Sequence, residues 1–221
     1  MPPRPADLSD YPPPAGRRNA ALRERMLLAA KSVLLEMGFE RASMDRVAAQ
    51  AGTTKRTLYA HFGRKEDLFL AVFELILDLQ LHHLGQPADY ASDSEPALAL
   101  TRYCVRFLET ILASRPLGLM RLAIAESHRF PQGGTVRLHE TLLESVEARI
   151  AEFLTAHGAL SLAAGQVAAR QLVAQLLFPR FTRALFGAAE PAATESDALG
   201  TSPAVDPAPI SRLVAQALAT S

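Results

Sequence analysis

The run Ser43-Met-Asp-Arg-Val-Ala-Ala-Gln-Ala-Gly-Thr-Thr-Lys-Arg-Thr-Leu-Tyr-Ala-His-Phe62 decides how the rest of the chain is read. It holds two short helical segments, Met44 to Ala51 and about Thr54 to Ala60, on either side of Gly52. Two helices this short bury little surface unless they cross steeply and share a core. Val47, Ala51 and Leu58 have the spacing to plug such a crossing, and Ala48 is small enough to allow close approach. Gly52 suits a turn that needs positive φ. Ser43 and Thr54 stand where N-caps belong. The second segment then opens with the polar cluster Thr54, Lys55, Arg56 and Thr57. Orphan amides and the helix dipole at such an end favour phosphate, and side chains there can enter a nucleic-acid groove. The pattern predicts a helix-turn-helix, with Arg56 as the best base-reader because a guanidinium can hold guanine O6 and N7 together. Asp45 and Arg46 fall on a solvated face.

Upstream, Leu22, Met26, Ala29, Val33 and Met37 recur at helical spacing, and Gly38 ends that helix. The segment before it, residues 1–18, holds six prolines and ends in Arg17 and Arg18, so it reads as a flexible arm. Downstream, a long helix begins near Lys65 with Leu68, Val72, Leu75 and Leu79 on one face.

The block from Arg25 to Phe73 resembles the N-terminal domain of the TetR family of bacterial regulators. Ala30, Gly38-Phe39, Val47-Ala48, Ala51-Gly52, Thr57-Leu58-Tyr59, His61-Phe62 and Lys65-Glu66-Asp67-Leu68-Phe69 carry the likeness. The resemblance implies an all-α homodimer with a divergent second half that takes a small-molecule effector and carries the dimer interface. It implies that Ser43, Thr54, Lys55, Arg56, Thr57, Tyr59, His61 and Lys65 meet double-stranded DNA, at base edges or phosphates. A ligand-responsive repressor on a pseudo-palindromic operator is the expected function. An activator, or a ligand-independent regulator of the same fold, is the alternative. Three positions depart from the family pattern: Thr53 in the turn, Arg56 where a small residue is common, and Gly63-Arg64 in place of a capping side chain.

The chain carries 23 basic and 23 acidic residues, which would seem to exclude a nucleic-acid partner. Their distribution restores it, because residues 1–75 are mildly basic and the remainder mildly acidic. The expected division is an arm over 1–18, a DNA-binding head over 19–64 and a helical body over 65–221. In the body, Gly85 to Asp93 reads as a linker, and helices are expected over 95–114, 116–128, 135–157, 160–186 and around Ile210 to Leu218. Pro179 should kink or break its helix. Residues 187–207 turn to Ala, Pro, Ser and Thr and read as a loop.

Tyr103, Phe107, Arg121, Glu126, His128, Gln171 and Gln175 are the candidate effector contacts, since a polar group inside an apolar stretch needs a partner. Val173, Leu176, Leu177, Ile210, Leu213 and Val214 are the candidate dimer stripe. No cofactor is expected. His82-His83 point to different helix faces, so no metal site is expected either. Cys104 is the single cysteine, which excludes an internal disulfide and suits a reducing, cytoplasmic location. No apolar run suggests a membrane span. No Gly-rich phosphate loop, nucleophile elbow or spaced metal ligands point to an enzyme.

Overall fold

The structure is a computed structural model that describes residues 17–91, 95–129, 138–158, 160–187 and 205–219. Among the described residues the chain is helical and contains no strand. The helices are α1 (Arg17–Arg41), α2 (Met44–Gln50), α3 (Lys55–Phe62), α4 (Lys65–Leu84), α5 (Pro96–Ile111), α6 (Ser114–Ala125), α7 (Glu144–His157), α8 (Leu162–Leu185) and α9 (Pro207–Ala219). A π-helical run, Leu138–Leu143, leads into α7. Residues 1–16 of the expected 1–18 arm, most of the 187–207 loop and the start of the expected 135–157 helix lie outside the described residues, whereas residues 17 and 18, expected in the arm, already belong to α1.

Helix α1 shows why Gly38 is needed. Met26, Ala30 and Val33 are fully buried along one face. At Gly38 the backbone takes φ 74° and ψ 172°, and the chain then makes one further turn to Arg41. That region of backbone space is essentially closed to residues with a Cβ. A Cβ at Gly38 would meet no other atom within 4 Å, so its cost is backbone strain and not a clash. Gly38→Ala is therefore expected to destabilise the fold by about 1–3 kcal/mol. A thermal melt of the variant checks this, and an unchanged midpoint would show that the hook after Gly38 relaxes freely.

Helix α4 is the central rod. Ten of its residues are buried, from Leu68 to Leu84. Its start packs on α1 and α3, and the rest packs on α5 and the π-helical run. One buried cluster runs continuously from Met26 in α1 to Ala217 in α9, so head and body share a core across residues 64 and 65. No helix among the described residues is long and apolar enough to cross a membrane.

Three expectations change. The Gly85 to Asp93 linker contains an ordered 3-10 turn, Pro87–Tyr90. Gly85 ends α4 at φ 64°, Asp89 Oδ2 accepts from the Gln86 amide at 2.6 Å, and the buried Tyr90 donates its hydroxyl to the Leu84 carbonyl at 2.9 Å. Composition signals a turn there, but only the burial of Tyr90 reveals that it is packed.

Pro179 neither ends nor splits α8. The Gln175 carbonyl that loses its donor sits on an exposed stretch where water can serve it. The flanking turns are also tied by side chains, Arg180 to the Leu176 carbonyl at 3.3 Å and Thr182 to the Phe178 carbonyl.

The expected dimer stripe faces inward. Val173, Leu176, Ile210 and Val214 are buried within the single chain, and Leu177 and Leu213 are half-buried. The reason is α5, against which α9 packs extensively and α8 also packs. The large apolar residues that α8 leaves exposed are Leu162, Val167 and Phe178.

Candidate nucleic-acid interface

Local chemistry builds the two short helices as their sequence demands. Ser43 caps α2, its hydroxyl accepting from the Arg46 amide at 3.2 Å. The chain leaves α2 through Gly52 at φ 63°, and the Thr53 amide donates back to the Ala48 carbonyl at 2.9 Å. Thr53, unusual in the turn, is thus accommodated through its backbone. Thr54 caps α3, accepting from the Thr57 amide at 3.1 Å, and the two threonine hydroxyls lie 2.7 Å apart. Val47, Ala48, Ala51 and Leu58 are all buried at the crossing. Leu58 is completely so, which leaves the opposite face of α3 to solvent.

That face carries most of the expected contacts. Thr54, Lys55, Arg56 and Tyr59 are exposed, as is Ser43 at the start of α2. Thr57, His61 and Lys65 are half-buried. Arg56 makes no side-chain hydrogen bond or ion pair with any described residue, so its guanidinium is available to an incoming partner. His61 lies beside the Phe62 ring, centroids 6.2 Å apart. Lys65 is folded back: its ammonium donates to the Glu40 carbonyl at 3.2 Å and sits 4.3 Å above the Phe39 ring. It ties α4 to the hook that follows Gly38.

Sequence reasoning missed the partner of Lys55. Its ammonium lies 2.8 Å from Asp45 Oδ2, and that hydrogen bond raises the Lys55 pKa, with the charge attraction second. Arg46, also read as merely solvated, pairs with Glu36 on α1 at 3.1 Å. The Asp45–Lys55 pair spans ten residues and a turn, so no helical periodicity relates the two.

The fourth helix resolves the Gly63-Arg64 departure. Arg64 offers α4 no side-chain cap. Asp67, in the first turn, receives the Arg64 guanidinium on both oxygens, at 3.1 and 2.9 Å. That bond holds the Asp67 carboxyl below its usual range. With Glu66 beside it, the negative charge complements the positive end of the helix.

The seven candidate effector contacts do not converge. Tyr103 and Phe107 are buried in the α5 core. Arg121 is exposed and donates to the last carbonyls of α8, Ala184 at 2.5 Å and Leu185 at 3.0 Å. Glu126 pairs with Arg129 at 2.9 Å, and His128 is exposed. Gln171 and Gln175 lie on the exposed side of α8. The Tyr103 hydroxyl finds no acceptor for its hydrogen among the described residues. Its surroundings are the Tyr90 ring, edge-on at 5.8 Å, and the Arg149 guanidinium, which donates to the Leu81 and Gly85 carbonyls at 3.1 and 2.7 Å. Burial pushes the Tyr103 hydroxyl pKa well up despite the cation, so it stays a neutral donor. Cys104 is buried, and burial likewise pushes its thiol up, away from the thiolate form.

An open groove of about 720 Å³ lies between α7 and α8, lined by Glu144, Glu147, Ala148, Ala151, Gln166 and Arg170. It contains none of the seven. No cluster of three or more metal-ligating side chains occurs among the described residues.

Residues 26–72 match the family described as bacterial regulatory proteins, tetR family. Residues 98–219, more than half of the chain, match the AefR-like transcriptional repressor C-terminal domain. Among curated relatives, the HTH-type transcriptional activator FasR of Mycolicibacterium smegmatis is 34% identical over 76 residues, 34% of this chain and 35% of FasR. The nucleoid occlusion factor SlmA of Photobacterium profundum is 27% identical over 141 residues, 63% of this chain and 70% of SlmA. The HTH-type transcriptional repressor BepR of Brucella suis is 40% identical over 53 residues, 24% of this chain and 25% of BepR. The chain therefore spans only about a third of FasR and a quarter of BepR. A TetR-family regulator from Mesorhizobium loti superimposes with a TM-score of 0.67 at 24% identity, over 91% of this chain and 95% of that one. The flavonoid-responsive regulator FrrA does so with 0.62, also at 24%, over 89% and 93%. At these identities the superpositions speak for the fold, and the matches to both halves speak for the family: the chain belongs to the TetR family of DNA-binding bacterial transcriptional regulators.

Proposed function

We propose that the protein is a homodimeric repressor that binds a pseudo-palindromic operator through residues 43–62 and lets go when a small molecule enters its body. The observation that carries this reading is the exposed cluster at the start of α3, where Thr54, Lys55, Arg56 and Tyr59 stand clear of the core and no described residue engages the Arg56 guanidinium. Thr57 is assigned with them to the groove or its flanking phosphates, and Ser43, His61 and Lys65 beside the cluster are assigned to phosphate contact. Two copies would set their recognition helices in successive major-groove faces, roughly 34–36 Å apart.

The sign of regulation follows the second half, whose match is to a repressor domain. FasR, by name an activator, favours the second reading, but it aligns with about a third of the chain. Dimerisation is supported by Leu162, Val167 and Phe178, large apolar side chains that α8 exposes to solvent. Effector binding is supported by the Tyr103 hydroxyl, a buried donor that gains a bond if a ligand supplies an acceptor. That chemistry fits a mostly apolar molecule with one polar group, bound preferentially by the state that releases DNA.

Transcription in vitro from the promoter upstream of its own gene tests the reading. Transcript is expected to fall as protein is added and to recover with an effector found by screening small apolar molecules. Transcript that rises with protein would replace repression by activation. Repression that no compound relieves would leave a ligand-independent regulator.

A further inference from the structure

The cations around the turn between α2 and α3 are nearly all spoken for within the chain. Arg46 pairs with Glu36 at 3.1 Å, Arg64 with Asp67 at 2.9 Å, and Lys65 with the Glu40 carbonyl at 3.2 Å. Lys55 pairs with Asp45 at 2.8 Å. Of these residues only Lys55 both belongs to the recognition helix and faces an acid that lies on the same exposed surface. Asp45 sits in the first turn of α2, two residues after the Ser43 cap, and its carboxylate meets the start of α3 through Lys55.

We propose that Asp45 is a specificity-determining positioning residue, which fixes the Lys55 ammonium where it meets a phosphate only in the register that lets Arg56 reach its base. The inference rests on residues 43–62 being the DNA-reading surface. A lysine stem is flexible, and its ammonium carries three donors. Left alone, it would follow whatever phosphate comes near, which is how non-specific complexes gain affinity. With one donor given to Asp45, the sweep of the stem is restricted while two donors remain for DNA. In the specific complex the recognition helix is seated at one depth, and a phosphate arrives at the held ammonium. In sliding, non-specific complexes the phosphates lie at varied heights, and Lys55 can follow them only by leaving Asp45. That leaves a bare carboxylate against the polyanion. Both side chains are more than half exposed, so the pair is weak enough to break, and its breaking carries the discrimination.

Affinity measurements on the full chain decide the matter. The probes are a duplex selected by the wild-type protein from a random-sequence pool and a scrambled duplex of the same composition. Asp45→Asn keeps the side-chain shape and removes the charge. It is expected to bind the scrambled duplex about tenfold more tightly while binding the selected duplex within about twofold of wild type. The salt dependence on the scrambled duplex should steepen by about one unit of slope per subunit, as one more phosphate is neutralised. In a Lys55→Gln background, Asp45→Asn should no longer change the ratio of the two affinities. An unchanged or increased ratio in the single variant overturns the proposal. So does a drop in ratio that persists without Lys55, which would mean that Asp45 acts by general repulsion. If the wild-type protein binds both duplexes equally, the DNA-reading assignment of residues 43–62 falls, and the role of Asp45 with it.

Discussion

Replacing Lys55 and Arg56 together by alanine is expected to cost at least about a hundredfold in operator affinity, with no loss of helix content. The size follows from the contacts available. A guanidinium held by two acceptors on a guanine discriminates by about 1–3 kcal/mol, and a dimer makes the contact twice. Arg56 should carry most of the loss, because no described residue engages its side chain before DNA arrives. Lys55 contributes less, since it gives up or shares Asp45 when it meets phosphate. Neither side chain supports the fold: both are exposed, and α3 is held by Leu58, Phe62 and its Thr54 cap. Titration of the double variant and the wild type against upstream DNA, at two salt concentrations, checks the expectation. Equal binding by both proteins would move the reading surface away from α3.

Phe69→Ala is expected to lower stability by about 3–5 kcal/mol, the range for truncating a buried phenylalanine. At roughly 2–4 °C per kcal/mol for a chain of this size, the melting midpoint should drop by about 6–20 °C. Phe69 is 1% exposed on α4 and meets the Phe39 ring edge-on at 5.5 Å. Phe39 in turn lies beneath the Lys65 ammonium and, at 5.9 Å, the Arg129 guanidinium, and Arg129 also pairs with Glu40. The hook after Gly38 is therefore clamped to α4 on one side and to the turn that follows α6 on the other. Losing Phe69 leaves a cavity under the segment that leads into α2, so operator affinity should fall along with stability. A melt within about 3 °C of wild type would mean that the site collapses without penalty and that the hook is held by its charges instead.

Much of the proposed reading surface is legible in the sequence because it is local. The caps Ser43 and Thr54, the turn at Gly52 and the plug of Val47, Ala51 and Leu58 all act over a few residues, where chain geometry leaves few alternatives. Sequence alone leaves Asp45 on a solvated face, because its partner Lys55 lies ten positions away on another helix.

The body was less legible for a different reason. Helical spacing shows that Val173 and Leu176 are buried but not against what, because burial of apolar surface is non-directional and rewards area alone. Sequence by itself determined an all-α chain, the place and polarity of its helix-turn-helix, and the breaks at Gly38 and Gly52. Tertiary structure decided that the α8 and α9 stripes pack on α5 of the same chain, that Pro179 is carried within α8, and that Tyr103 is buried while Gln171 is exposed. Each of these turns on which surfaces meet when distant segments compete for one core, and that competition is settled by the area and charge that the folded chain brings together.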